Sequence, residues 1–103
     1  MNNETQTSVT YTLLRPIQFE GETVTELTLD FEKLTGADLL SCAAQARFIA
    51  PEEGSFVKAL SMPYQITVTA KAAGVIPELI KSLKAKDFTS LLQRAQNFLL
   101  LQE

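Results

Sequence analysis

Acid–base chemistry has two pairs of carboxylates to draw on in this chain, Glu52 with Glu53 and Asp30 with Glu32, and nucleophilic chemistry has one thiol, Cys42. General acid–base work needs carboxylates whose pKa values are set apart by a shared, partly enclosed site. No other site residues accompany these pairs, so both read as solvated loop or strand-face charge. Cys42 sits among Ala43, Ala44 and Ala46, and the sequence holds no histidine to take its proton. It therefore reads as a small buried apolar residue. A single cysteine without histidine also removes the common zinc ligand sets and the His-assisted nucleophiles. The four glycines, Gly21, Gly36, Gly54 and Gly74, form no phosphate-cradling motif. The reading is of a protein that is not an enzyme, with no catalytic, cofactor or metal site. One thiol cannot close an internal disulfide and fits a reducing cytoplasm.

Binding is the remaining class of function, and charge gives a first hint of it. Residues 1–53 hold nine acids and three bases, a net of −6, whereas residues 54–103 hold three acids and six bases, a net of +3. Such asymmetry can orient a partner or a second copy of the chain. Lys81, Lys84 and Lys86 could touch phosphate, and the run from Ala70 through Gly74 to Ile80 and Leu83 has the spacing of a helix-turn-helix. Against DNA, the would-be recognition helix opens Ile76-Pro77-Glu78 and offers mainly Lys81 and Ser82 to base edges. Three lysines on a chain of net charge −3 make a small electrostatic footprint, so no nucleic acid partner is expected.

The elements that must carry any binding surface can be read from periodicity. Val9, Tyr11, Leu13, Ile17 and Phe19 alternate with polar residues, and Leu27, Leu29 and Phe31 alternate with Glu26, Thr28, Asp30 and Glu32. Both stretches predict strands of one antiparallel hairpin over residues 9–31. Pro16 lacks a ladder donor and predicts an edge position or a bulge. Matching the apolar faces pairs Leu13 with Phe31 and Ile17 with Leu27 around a Gly21-Glu22-Thr23 loop, unless a bulge at Pro16 changes the count.

Beyond the hairpin the chain reads as helical over 35–103. Thr35 and Asp38 have capping-box spacing before a helix that runs to Phe48 or Ile49. Pro51 to Ser55 reads as a loop, and Phe56 to Leu60 is open between a turn and a strand. Tyr64 to Thr69 alternates like a strand, but Pro63, Ala70, Ala72, Ala73 and Gly74 favour a helix ending at a left-handed glycine. Pro77 can open a short helix. Residues 87–101 form the clearest one, with Phe88, Leu91, Leu92, Ala95, Phe98 and Leu99 in one stripe. The fold class is thus α+β, a two-stranded antiparallel hairpin followed by three or four helices. Residues 9–103 read as a single domain behind a polar, disordered tail, residues 1–8, that carries no secretory signal. No apolar run approaches the roughly 20 residues a membrane span needs.

Most of the terminal stripe is needed for a core of this size, with Leu92 and Ala95 at its middle. Leu99, Leu100 and Leu101 span too wide an arc for one face, and intramolecular cover is scarcest at the chain end. Phe98, Leu99 and Leu101 are accordingly the expected partner-binding residues.

As an ordered series the residues resemble a known family. Leu14-Arg15-Pro16-Ile17 with Thr25 to Leu29, then Phe56 to Gln65, Ala70 to Val75, Ser82 to Phe88 and Gln96 to Leu99, are similar to the small tail assembly chaperones of Mu-like and related contractile-tailed phages. The resemblance covers residues 10–101. It implies a phage or prophage protein that binds the tape measure protein in the host cytoplasm during tail morphogenesis, shields its apolar helices, and is absent from the finished virion. It also implies contact between a longer frameshifted product and tail tube subunits. A helix-turn-helix DNA-binding regulator and a minor structural tail protein are the alternative readings.

Overall fold

A computed structural model describes residues 7–51 and 60–101. Two strands, β1 (Val9–Phe19) and β2 (Glu22–Leu29), form an antiparallel hairpin that precedes four helices, α1 (Gly36–Ile49), α2 (Met62–Ala73), α3 (Pro77–Lys81) and α4 (Ala85–Leu100). The architecture is the expected α+β one.

The hairpin register differs from the one that face matching alone selects. The loop is the two-residue Glu20-Gly21, with φ of 50° and 82°. Positive φ at both positions is what a tight turn compatible with strand twist requires. It sets Phe19 opposite Glu22 and Ile17 opposite Val24, an odd-to-even pairing. Five residue steps on β1, from Thr12 to Ile17, then face two on β2, from Glu26 to Val24. The three extra residues form a wide bulge around Pro16 and restore odd-to-odd pairing, with Tyr11 opposite Leu27 and Val9 opposite Leu29. Leu13 does not meet Phe31, nor Ile17 Leu27. Phe31 leaves the sheet altogether and begins a 3-10 turn, Phe31–Lys33.

The helix ends follow local chemistry. At α1 both capping-box bonds form: the Asp38 amide donates to Thr35 Oγ1 at 3.1 Å, and the Thr35 amide donates to Asp38 Oδ2 at 2.9 Å. Ser61 caps α2, and Gly74 closes it at φ 71°, with the Val75 amide donating to the Ala70 carbonyl at 3.0 Å. The strand-like alternation of Tyr64 to Thr69 is overridden because both of its faces are covered. Every residue from Pro63 to Ala70 is buried.

That burial makes α2 the centre of the molecule. Against one side pack Leu13, Ile17, Leu27 and Leu29 of the hairpin with Ile80, Leu91 and Leu92, meeting Ile66 and Ala70. Against the other pack Cys42 and Ala46 of α1, meeting Tyr64 and Val68, with Ala95 of α4. Polar groups inside are mostly paired: Thr67 Oγ1 donates to the Cys42 carbonyl at 3.0 Å, and the Cys42 thiol donates back to the Thr67 carbonyl at 3.5 Å. Thr69 Oγ1 is buried without a partner. The Asp30 amide donates to the Ala72 carbonyl at 3.0 Å, fixing the end of the hairpin to the end of α2.

Glu52, Glu53 and the stretch from Phe56 to Ala59 lie outside the described residues, as do Met1 to Gln6. Thr7 is placed, its hydroxyl donating to Asp30 Oδ1 at 2.7 Å.

Candidate functional site

The last helix positions the expected contact residues. Its stripe turns Leu91, Leu92 and Ala95 into the core. Its first turn is anchored by Asp87, a fully buried carboxylate that accepts from the Tyr11 hydroxyl at 2.8 Å and from the Leu14 and Arg15 amides at 2.9 and 3.0 Å. The bulge frees those two amides from the ladder, and the carboxylate satisfies them. Burial by itself would raise the Asp87 pKa, but the Leu14, Arg15 and Tyr11 bonds and the nearby Arg15 charge outweigh it and hold the carboxyl below the usual range. Asp87 is therefore a structural clamp between α4 and β1.

The three expected contact residues have different surroundings. Phe98 is half-buried, its ring stacked on Phe31. Leu99 is half-buried against the cluster around Cys42 and Tyr64. Leu101 is 66% exposed, next to an exposed Leu100. Of the three, only Leu101 stands largely in water.

A larger apolar surface was not anticipated. On α1, Leu40 is 75% exposed and Phe48 is 88% exposed, two turns apart on the face turned away from α2. Ala37 and Ala44 are exposed with them. The signal was present in two doublets, Leu39-Leu40 and Phe48-Ile49, because neighbours about 100° apart on a helix cannot both face one core. In each doublet one member is half-buried and the other stands in water.

The chemistry of catalysis is not assembled in what is described. Burial pushes the Cys42 thiol up, away from the thiolate a nucleophile needs. Asp30 accepts from Thr7 and Glu32 is exposed, without a shared enclosed site. Among the described residues no group of three His, Cys, Asp or Glu gathers for a metal, and no helix is long and apolar enough to cross a membrane. α3, the counterpart of a recognition helix, has five residues, with Leu79 and Ile80 buried in the core. Its exposed side chains are Glu78 and Lys81, one acid and one base, which offer little to base edges in a major groove.

No curated protein and no solved structure matches the chain. A family profile does: residues 10–100, from the first strand to the last residue of α4, match the phage tail assembly chaperone proteins, E, or 41 or 14. With the match running through the hairpin and all four helices, the chain belongs to the phage tail assembly chaperone family.

Proposed function

We propose that this chain binds the tape measure protein during tail morphogenesis, as a non-catalytic holding factor in the host cytoplasm that leaves before the virion is complete. The observation that carries the reading is apolar side chains standing in water on ordered helices, Leu40 and Phe48 on α1 and Leu100 and Leu101 at the end of α4. A soluble domain of this size keeps such groups exposed at a cost in solubility, and contiguous ones mark docking surfaces. An apolar helix of a partner is the ligand such a surface suits. The contact at Phe98, Leu99 and Leu101 remains part of the proposal, with Leu101 its free end.

Co-expression with the tape measure protein, followed by size-exclusion chromatography, tests it. A soluble complex that forms only when both chains are present supports the reading; an insoluble tape measure protein with the chain eluting alone overturns it. Mass spectrometry of purified tails separates the minor structural tail protein alternative, which requires the chain in finished particles. Tail tube subunits and a second copy of the chain are further candidate partners, read in the same chromatogram.

A further inference from the structure

We propose that the groove between β1 and α4 takes up an extended acidic segment of a protein partner, an inference that rests on the binding function above and gives the partner its chemistry. The groove is shallow and open to solvent, about 810 Å³ in volume, with Tyr11 and Leu14 on the β1 side and Lys86, Gln93 and Arg94 on the α4 side. Two cations line it and no carboxylate does. Asp87, next in sequence to Lys86, keeps its negative charge but turns it inward to Tyr11 and the Leu14 and Arg15 amides and does not line the groove, so the lining cations outnumber it two to one. The Arg94 guanidinium, exposed to solvent, lies 5.1 Å from the centre of the Tyr11 ring, which favours its staying over the groove. On a chain of net charge −3, this is a local reversal of sign.

The groove does not stop at Arg94. Arg94 and Asn97 also line a second hollow of about 290 Å³, where Val9 and Phe98 supply apolar walls and Glu32 the one carboxylate. From Ala85 to Phe98 the helix rises roughly 20 Å, the length of about six residues of extended chain. Hydroxyl and amide groups of Thr89, Ser90 and Gln93 lie along that path and can meet main-chain donors and acceptors. A segment with carboxylates facing Lys86 and Arg94 and an apolar side chain reaching Phe98 satisfies each part. Nucleic acid fits less well, since two cations neutralise few phosphates.

Fluorescence anisotropy on the full chain tests the groove, using a labelled peptide of about ten residues alternating Asp and Leu. Its counterpart with Lys in place of Asp, and a single-stranded oligothymidylate of similar length, serve as competitors. The acidic peptide should bind, weaken by at least about fivefold between low and moderate salt, and resist both competitors. Lys86→Glu with Arg94→Glu should weaken it by at least about tenfold, whereas Lys81→Glu with Lys84→Glu, the same change in charge on residues that do not line the groove, should stay within about twofold. Leu14 is 69% exposed, so Leu14→Glu places a charge on the groove wall while keeping the backbone amide that donates to Asp87, and it should repeat the loss if the double variant misfolds. No binding by the acidic peptide, equal binding of the Lys peptide, stronger binding of the oligonucleotide, or unchanged affinity in Leu14→Glu overturns the proposal. Peptide binding that fails while the tape measure complex forms rejects the groove alone. A complex that fails while the peptide binds rejects the tape measure reading and leaves the groove standing.

Discussion

The ring of Phe98 lies against that of Phe31 with centroids 5.3 Å apart and planes inclined by 24°, so the last turn of α4 is tied to the turn that follows β2. An aromatic stack of this kind contributes beyond the area it covers.

Phe98 and Leu101 should consequently part company when changed to serine. Phe98→Ser removes the stack as well as exposed surface and should lower stability by about 1–3 kcal/mol in urea unfolding. Leu101→Ser should cost less than about 0.5 kcal/mol, because its side chain has little to lose. Weakened tape measure capture in Leu101→Ser therefore reports on binding alone. Equal stability of the two variants would show the stack to be idle.

Asp87 gives the fold a pH dependence of defined sign. A carboxyl whose pKa is depressed on folding adds stability that is fully present above its unfolded pKa, about 4, and is lost as pH falls through the lower folded value. Asp87→Asn should cost about 2–4 kcal/mol at neutral pH, since a side-chain amide cannot accept from both the Leu14 and Arg15 amides and the Tyr11 hydroxyl without leaving a buried donor unpaired. Urea unfolding from neutral pH down to pH 3 should show the gap to wild type narrowing below about pH 4. A residual acid slope will persist in the variant, because the Thr35 amide also depresses Asp38. A gap that stays constant across the range would mean that the Asp87 charge is not its source.

Thr69 offers the opposite sign. Its hydroxyl oxygen is buried with no partner, so Thr69→Val keeps the shape and removes an unsatisfied polar group. Stability should rise by about 1 kcal/mol or stay unchanged. A loss above about 1 kcal/mol in thermal or urea unfolding would mean that the hydroxyl is satisfied in solution.

The outer face of α1 should be silent in stability and audible in binding. Leu40→Ser and Phe48→Ser together should shift unfolding by no more than about 0.5 kcal/mol per site, as exposed positions do. The same pair should reduce binding of an apolar dye and recovery of soluble tape measure protein. Retained capture in both assays would leave the end of α4 and the groove as the contact.

Much of the fold was legible because its signals are local. The Thr35 and Asp38 spacing, the glycine at 74 and the spacing from Phe88 to Leu99 each depend on residues within a few turns, and each element formed where expected. The hairpin register was less legible, since turn geometry and face matching demand different pairings and only the bulge reconciles them. Asp87 could not be singled out at all: its three partners lie 72 to 76 residues away in the chain, and a first-turn acid is ordinary on any helix. Of the apolar surface that stands in water, part was legible. A terminal Leu-Leu-Leu run announces an excess of apolar surface, but the exposed face of α1 was hidden in a helix whose apolar residues run all the way round.

The enclosure of α2 also governs how the chain comes off the ribosome. The hairpin and α1 emerge first, with Leu13, Leu27, Leu29 and Cys42 bare until residues 62–73 arrive to cover them. A hairpin alone is marginal in water. The carboxylate that ties off its bulge arrives later still, with α4. At about 5–20 residues per second, translation leaves the N-terminal half unfinished for several seconds. For that interval the apolar side of the hairpin has no cover from the rest of the chain.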